Sequence, residues 1–467
     1  MPAHKTKQTN GQIATNRERH TLRERIDVLA RQAPALFALI VFAAIILAVT
    51  AALLVPYAKA GPGSASLIEA FFTATSAVCV TGLNVVTTAT YWTTYGKIVI
   101  ALAMQIGGLG VMTIASLLGM AVSRHIGLTQ RLLTAAETKS RLGEVGSLLR
   151  AVVITSVSVE SVLTIAYLPT FLQRDKGMLE ALAQSLFMGI STFNNSGFVA
   201  LEEGIEGYVG DWGLCIPIIL GTIIGAVGFP VVLGVAQQWH RPGKWSLHTK
   251  LTLITYACLF AVGTLAILVL EWNNARTLGA LGLDEKLLVA LTHSATARSS
   301  GLATVDIGAM RESTWWLLDA FMFVGGGSAS TGGGIKVSTF AVLLLAIIAE
   351  ARGDRDAEAF GKRISSSVIR LAISATSLGA ALVGVATLML LQITDFPLSQ
   401  ILFETVSAFS TCGLSTGITA ALPPLGQVVI IVLMYLGRVG TMTFAAALAL
   451  RHRQRVVRLP SERPIIG

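Results

Sequence analysis

Cys79-Val80-Thr81-Gly82 decides how the chain is read, because a short polar stretch closing on glycine returns three more times. Asn194-Asn195-Ser196-Gly197, Arg298-Ser299-Ser300-Gly301 and Ser410-Thr411-Cys412-Gly413 follow, with their glycines 115, 104 and 112 residues apart. A second glycine patch comes 24 to 28 residues after each. These patches read Ile106-Gly107-Gly108-Leu109-Gly110, Ile224-Gly225-Ala226-Val227-Gly228, Val324-Gly325-Gly326-Gly327 and Leu436-Gly437-Arg438-Val439-Gly440. The first and last copies also share Met112-Thr113 and Met442-Thr443. Four matches in phase make an internal repeat.

Before each polar stretch lies a short helically patterned segment, at about 66–77, 179–192, 285–296 and 398–408. At 1.5 Å per residue each reaches only about 20 Å, too short to cross a hydrocarbon layer that needs about 20 helical residues. Around them run long apolar stretches near 34–56, 98–122, 151–172, 212–236, 249–270, 335–349, 371–393 and 427–450. The expected fold is an all-α polytopic membrane protein. It has four in-line repeats of long helix, re-entrant pore helix, filter loop and long helix around one central pore. The expected divisions are a basic tail at 1–33, repeat 1 at 34–123, a cytoplasmic loop at 124–150, and repeat 2 at 151–237. Repeat 3 takes 238–350, a cytoplasmic loop with repeat 4 takes 351–450, and a second basic tail takes 451–467.

Composition agrees. Of 467 residues, 53% are hydrophobic and 13% charged, about half the charge a soluble surface carries. The net charge of +9 is concentrated: 25 of the 35 Lys and Arg fall in the two tails and in the segments 124–150, 241–250 and 352–370. That alternation follows the positive-inside rule and puts both termini in the cytoplasm; nucleic acid is not an expected partner. Ala58-Lys59-Ala60 mimics a signal cleavage site, but a 33-residue basic tail and about 23 apolar residues precede it, too much for a signal peptide. Cys79, Cys215, Cys258 and Cys412 show no CxxC spacing and the histidines no HExxH, which argues against a zinc site or a disulfide framework. An intramembrane enzyme would need convergent catalytic groups. His293, in a pore-helix segment, reads as a packed or hydrogen-bonded structural residue.

Irregular backbone survives at membrane depth only inside protein or beside water. Four such loops around one axis would make a cavity, with short helices directing their negative C-terminal ends at it. Loop carbonyls would replace a cation's hydration shell, and glycine permits both positive φ and close approach. The sixteen residues of the four polar stretches are therefore the candidate ion-binding filter. Tight helix packing explains the second patches as well as function does. In the third repeat the patch extends into Gly325-Gly326-Gly327-Ser328-Ala329-Ser330-Thr331-Gly332-Gly333-Gly334, six glycines in ten residues. Such a run cannot hold a helix in lipid, so this second helix is expected to be interrupted, alone of the four. A nucleotide P-loop needs an adjacent Gly-Lys-Ser/Thr, which is absent before Lys336.

These residues resemble the Trk/Ktr/HKT superfamily of potassium transporters over about 34–450. The resemblance rests on Ser76 to Leu83, Thr192 to Phe198, Thr296 to Gly301, the run Gly325 to Lys336, and Gly437-Arg438-Val439-Gly440. With no further leading helices before the first repeat, the chain looks more like the Ktr-type membrane subunit than the longer Trk type. The resemblance implies a pseudo-fourfold pore in one chain, a homodimer, and a separate cytosolic regulatory ring that binds nucleotide (ATP or ADP). This chain itself is expected to hold no cofactor. Glycine in all four filters is the potassium-favouring pattern, whereas Leu302 and Leu414 stand where the family commonly has an aromatic. By the same resemblance, Gly325–Gly334 with Lys336 is an intramembrane gate below the filter and Arg438 faces the pore beneath it. Arg298 is expected to brace the filter from behind, with Glu69 and Glu404 as candidate partners or as simple helix-dipole carboxylates. The expected function is potassium uptake across a bacterial-type plasma membrane driven by the electrochemical gradient; coupled secondary transport is the alternative.

Overall fold

The computed structural model describes residues 34–125, 141–174 and 177–440. Both basic tails (1–33 and 451–467), the centre of the basic segment (126–140) and Met442-Thr443 lie outside the described residues. The chain is built almost wholly of helices: α1 (Pro34–Leu53), α2 (Leu67–Val78), α3 (Thr94–His125), α4 (Arg141–Leu172), α5 (Met178–Asn194), α6 (Trp212–Val227) and α7 (Phe229–Gln237). Then follow α8 (Leu247–Glu271), α9 (Leu283–Thr296), α10 (Glu312–Phe323), α11 (Val337–Arg352), α12 (Ser366–Ile393), α13 (Leu398–Ser410) and α14 (Pro424–Tyr435), the last running into a π-helical turn, Leu436–Gly440. One departure from the all-helical expectation is a hairpin between α11 and α12. It pairs Glu358 with Arg363 and Ala359 with Lys362, and turns through Phe360 and Gly361, both at positive φ, as a two-residue hairpin requires.

Local chemistry sets the helix ends. Ser66 and Glu69 form a reciprocal cap on α2, with Glu69 N donating to Ser66 Oγ at 3.3 Å and Ser66 N to Glu69 Oε2 at 2.9 Å. Asp211 caps α6 through Gly213 N at 2.8 Å, and Ser246 caps α8 through Thr249 N at 3.1 Å. At their other ends α5 and α13 stop on left-handed residues, Asn195 (φ 57°) and Thr411 (φ 46°).

Among the described residues five helices are long and apolar enough to cross a membrane, or six if the bent pair α6–α7 counts as one. Their outward faces are apolar: Leu47, Val269 and Leu388 are 63%, 77% and 66% exposed, which suits lipid and not water. The bend corrects the sequence expectation, because the second repeat is interrupted as well as the third: α6 and α7 meet at 96° across Gly228. Gly228 sits at φ 98°, and Pro230 follows two residues later. Proline cannot donate to Ala226 four residues back and its ring clashes with that carbonyl, so the helix cannot run on.

Packing closes on itself. α1, α2 and α3 pack together, as do α4, α5 and α6; α8 packs on α9, α10 and α11, and α12, α13 and α14 pack together. Between these groups α3 touches α5, α6 touches α9, α10 touches α13, and α14 returns to α2. The larger apolar core includes Phe42, Phe72, Phe403 and Phe409; a second holds Tyr167, Phe171 and Phe193.

Candidate cation-conduction site

The four polar stretches lie at the C-terminal ends of α2, α5, α9 and α13; thirteen of their sixteen residues are buried, and Gly197, Gly301 and Gly413 are half-buried. Each glycine lies at positive φ: 91° at Gly82, 71° at Gly197, 61° at Gly301 and 98° at Gly413. A β-carbon on Gly82 would come closer than 3.0 Å to the Ser196 carbonyl oxygen, one on Gly197 likewise to Ser300, one on Gly301 to Cys412, and one on Gly413 to Thr81. Each glycine thus meets the next stretch's carbonyl, and the last meets the first. The short helices end at this ring with their C-terminal partial negative charge.

Three stretches share one construction and the third differs. Thr81 N, Ser196 N and Cys412 N reach back five residues to Ser76, Ser191 and Ser407 carbonyls at 2.8, 2.9 and 2.9 Å. The hydroxyls of Ser76 and Ser407 also take the glycine amides of Gly82 and Gly413, both at 3.1 Å. Ser191 Oγ instead donates to the Phe198 carbonyl at 2.7 Å. In the third stretch the corresponding residue is Ala295, and Gly301 N turns to the Thr296 carbonyl at 3.1 Å. Val80, Asn195 and Thr411 are left-handed, whereas Ser299 is not among the positive-φ residues.

Second-patch glycines serve packing, as their spacing suggested. β-Carbons on Gly107, Gly225 and Gly437 would collide with the Val78, Phe193 and Phe409 carbonyls, so the second helices lie hard against the ends of α2, α5 and α13. The third repeat again departs, since Gly325 meets the Gly333 carbonyl of its own loop.

That loop, Gly325–Gly334, crosses between α10 and α11. The broken ends of α6 and α7 bind it through backbone: Gly327 N donates to Ala226 O at 2.7 Å, Thr331 N to Gly225 O at 3.2 Å, and Phe229 N to Ala329 O at 3.2 Å. Groups orphaned by Gly228 and Pro230 are thereby satisfied by the loop. Arg438, 2% exposed, donates through Nη1 to the Thr331 carbonyl, and Lys336 Nζ donates to Gly332 O. Ser328 and Ser338 join hydroxyls at 3.0 Å. The sequence missed α6–α7 as part of this region, although Gly228-Phe229-Pro230 was the readable sign of a break.

Arg298 is fully buried, its guanidinium 3.6 Å from the Tyr256 ring centroid and donating to Tyr256 O at 2.9 Å. Neither candidate carboxylate reaches it, which corrects that pairing. Glu69 caps α2 and accepts from Tyr91 Oη at 2.6 Å. Glu404 accepts from Thr416 N at 3.2 Å, Thr419 Oγ1 at 2.9 Å and Ser415 Oγ, so it holds the segment after the fourth stretch. His293 accepts from Thr304 N at 3.2 Å and does the same after the third. After the second stretch, partial burial raises the Glu206 carboxyl above its ordinary range, and the charge of Asp306, which follows the third stretch, adds to it. Glu160, which the sequence did not single out, lies buried beside Asn194.

The family model for the cation transport protein TrkH matches residues 27–458. The chain is 39% identical over 409 residues to Ktr system potassium uptake protein B of Bacillus subtilis (strain 168), covering 86% of this chain and 90% of that one. It is 34% identical over 428 residues to Ktr system potassium uptake protein D of the same organism, covering 90% and 95%. Its fold is similar to the crystal structure of the potassium transporter TrkH from Vibrio parahaemolyticus, with a TM-score of 0.70 at 17% identity, over 88% of this chain and 83% of that one. With its apolar spans and a family match over nearly its whole length, this chain is a multi-pass membrane protein belonging to the Trk/Ktr family of cation transport proteins.

Proposed function

We propose that the chain takes up potassium through a selective pore formed within one polypeptide. The observation that carries this is the ring in which each filter glycine abuts the next stretch's carbonyl and the fourth returns to the first. In this reading α2, α5, α9 and α13 are re-entrant pore helices of four in-line repeats, arranged with pseudo-fourfold symmetry. Backbone carbonyls of the four stretches replace the ion's hydration shell, and membrane potential supplies about 2.3 kcal/mol per charge per 100 mV. Likeness to two proteins named for potassium uptake favours that ion.

Gly325–Gly334 is the gate in this reading. Arg438 and Lys336 both donate to its carbonyls, and two positive charges below a cation filter raise the barrier to passage while the loop is in place. The chain acts as a homodimer in a bacterial-type plasma membrane, with both termini inside. A cytosolic nucleotide-binding ring on the basic inner face controls the gate; the word "system" in the relatives' names is in keeping with separate subunits. Growth of a potassium-uptake-deficient host on limiting potassium, with tracer flux in vesicles, tests the reading. Expression should restore growth and give voltage-driven potassium entry. Full expression without potassium entry would defeat it, and flux that needs an opposing ion gradient would replace it with coupled transport.

A further inference from the structure

We propose that the adjacent asparagines Asn194 and Asn195 are a positioning pair that couples the gate loop to the second filter stretch; this rests on the conduction reading above. The two side chains face opposite ways. Asn194 Nδ2 is tied backward, to Gln105 Oε1 at 2.8 Å, Ile190 O at 3.0 Å and Glu160 Oε1 at 3.2 Å. Glu160 is anchored in turn by Ser156 Oγ at 2.7 Å and Gln105 Nε2 at 3.1 Å. Asn195 Nδ2 is tied forward, to the hydroxyl of gate residue Thr331 at 2.6 Å.

Thr331 carries several of the loop's other ties: its carbonyl accepts from Arg438, its amide donates to Gly225 O, and its hydroxyl donates to Phe193 O at 3.4 Å. The equivalent residues of the third and fourth stretches also face the loop, Ser299 toward Gly332 and Thr411 toward Gly333, yet their hydroxyls make no hydrogen bond. Among the described residues Asn195 is therefore the filter side chain bonded to the gate.

The bond has consequences because of where Asn195 sits. Its backbone is left-handed, at φ 57°, a region that asparagine tolerates better than most residues. It lies two residues before Gly197, which abuts the Ser300 carbonyl. Withdrawal of the loop removes the partner of a fully buried amide, and an unpaired buried donor is costly. The amide then has to turn to pore water, and the stretch relaxes with it. Asn194, held by Glu160 and Gln105, limits how far that relaxation spreads.

The test is a cycle of Thr331→Val, which removes the hydroxyl outside the filter, and Asn195→Gly, which keeps positive φ accessible. Potassium-over-sodium preference and total flux are measured in vesicles, with wild-type uptake as the reference. Each single variant should raise flux by roughly fivefold, the effect of one hydrogen bond that forms only while the loop is in place, and the double variant should raise it no further. Glu160→Ala, which frees the anchor of Asn194, should lower preference, with rescue by Glu160→Gln, which keeps an acceptor. A Thr331→Val protein with wild-type flux, or single effects that multiply in the double variant, would overturn the coupling while leaving potassium conduction standing. Absence of potassium entry in the wild type would instead overturn the conduction reading itself.

Discussion

Gly82, Gly197, Gly301 and Gly413 each press on a carbonyl of a neighbouring stretch, so all four are held by the same kind of contact. The glycines of Gly325–Gly334 press instead on whatever lies nearby: Gly325 on Gly333 of its own loop, Gly326 on Ala226 O, Gly327 on Val227 O and Gly333 on Thr411. In the ring, glycine allows a repeated geometry in which every member supports the next. In the loop, it allows one segment to fit an irregular site made by the broken α6–α7 helix, Arg438 and the Ser410-Thr411 end of α13. A ring whose members brace one another suits fixed ion coordination; a loop held by a few separable bonds suits movement.

The comparison is broken most severely from the ring side. Gly82→Ser puts a side chain at φ 91° and drives its β-carbon into the Ser196 carbonyl, strain of about 1–3 kcal/mol before any displacement of the neighbour. Potassium-over-sodium preference should fall by one to two orders of magnitude in a flux assay. Unchanged preference at normal expression would remove Gly82 from the filter.

On the loop side Arg438→Ala takes away a donor and the positive charge but leaves Asn195 and Thr331 bonded. Loss of a charged hydrogen bond of about 1.5–3 kcal/mol should raise flux by roughly tenfold at unchanged ion preference, and lessen its dependence on the proposed cytosolic partner. Wild-type flux at matched voltage would show that Arg438 does not hold the loop.

How much of this could be read without coordinates follows from the same contrast. The four polar stretches and the short helices before them were legible because repetition supplied its own control: α2, α5, α9 and α13 fall within a few residues of the expected segments. Gly325–Gly334 stood out because so much glycine is incompatible with a helix in lipid. Partners were harder. Arg298 looked as though it needed a carboxylate, yet the Tyr256 ring and carbonyl take it, and aromatic faces leave no spacing pattern. The bend at Gly228 was hidden by the unbroken apolar run around it, since hydropathy averages over Gly228-Phe229-Pro230. Glu160 was overlooked because a single carboxylate in a span carries no motif; its role depends on Gln105 and Asn194, on two other helices.

Pro230 gives a subtler way to sharpen the comparison. Pro230→Ala restores the donor that could pair with Ala226 O and so competes with Gly327 for that acceptor. The loop would lose one backbone bond, and flux should rise by several-fold, less than for Arg438→Ala because a neutral bond is worth about 1 kcal/mol. Gly228 remains in place, so the 96° bend is not expected to straighten fully. A flux equal to wild type, with spin-label distances across Gly228 also unchanged, would mean that the break is held by Gly228 and the loop without help from Pro230.

The smallest effects test the one irregular member of the ring. Ser76→Ala removes the hydroxyl that accepts Gly82 N at 3.1 Å, and Ser407→Ala does the same for Gly413 N. Each leaves a buried amide without that acceptor, so preference should drop by roughly fivefold or less. Ala295→Ser is the counterpart in the third stretch, where Gly301 N already has the Thr296 carbonyl at 3.1 Å. A hydroxyl added there meets an amide that needs no partner, and preference should stay within about twofold of wild type, the range of a near-neutral change. The three variants read the ring by one measurement. If Ala295→Ser shifted preference as far as Ser76→Ala, the third stretch would depend on this position as the first and fourth do, and its different backbone turn would not be a separate solution to the same hydrogen-bonding requirement.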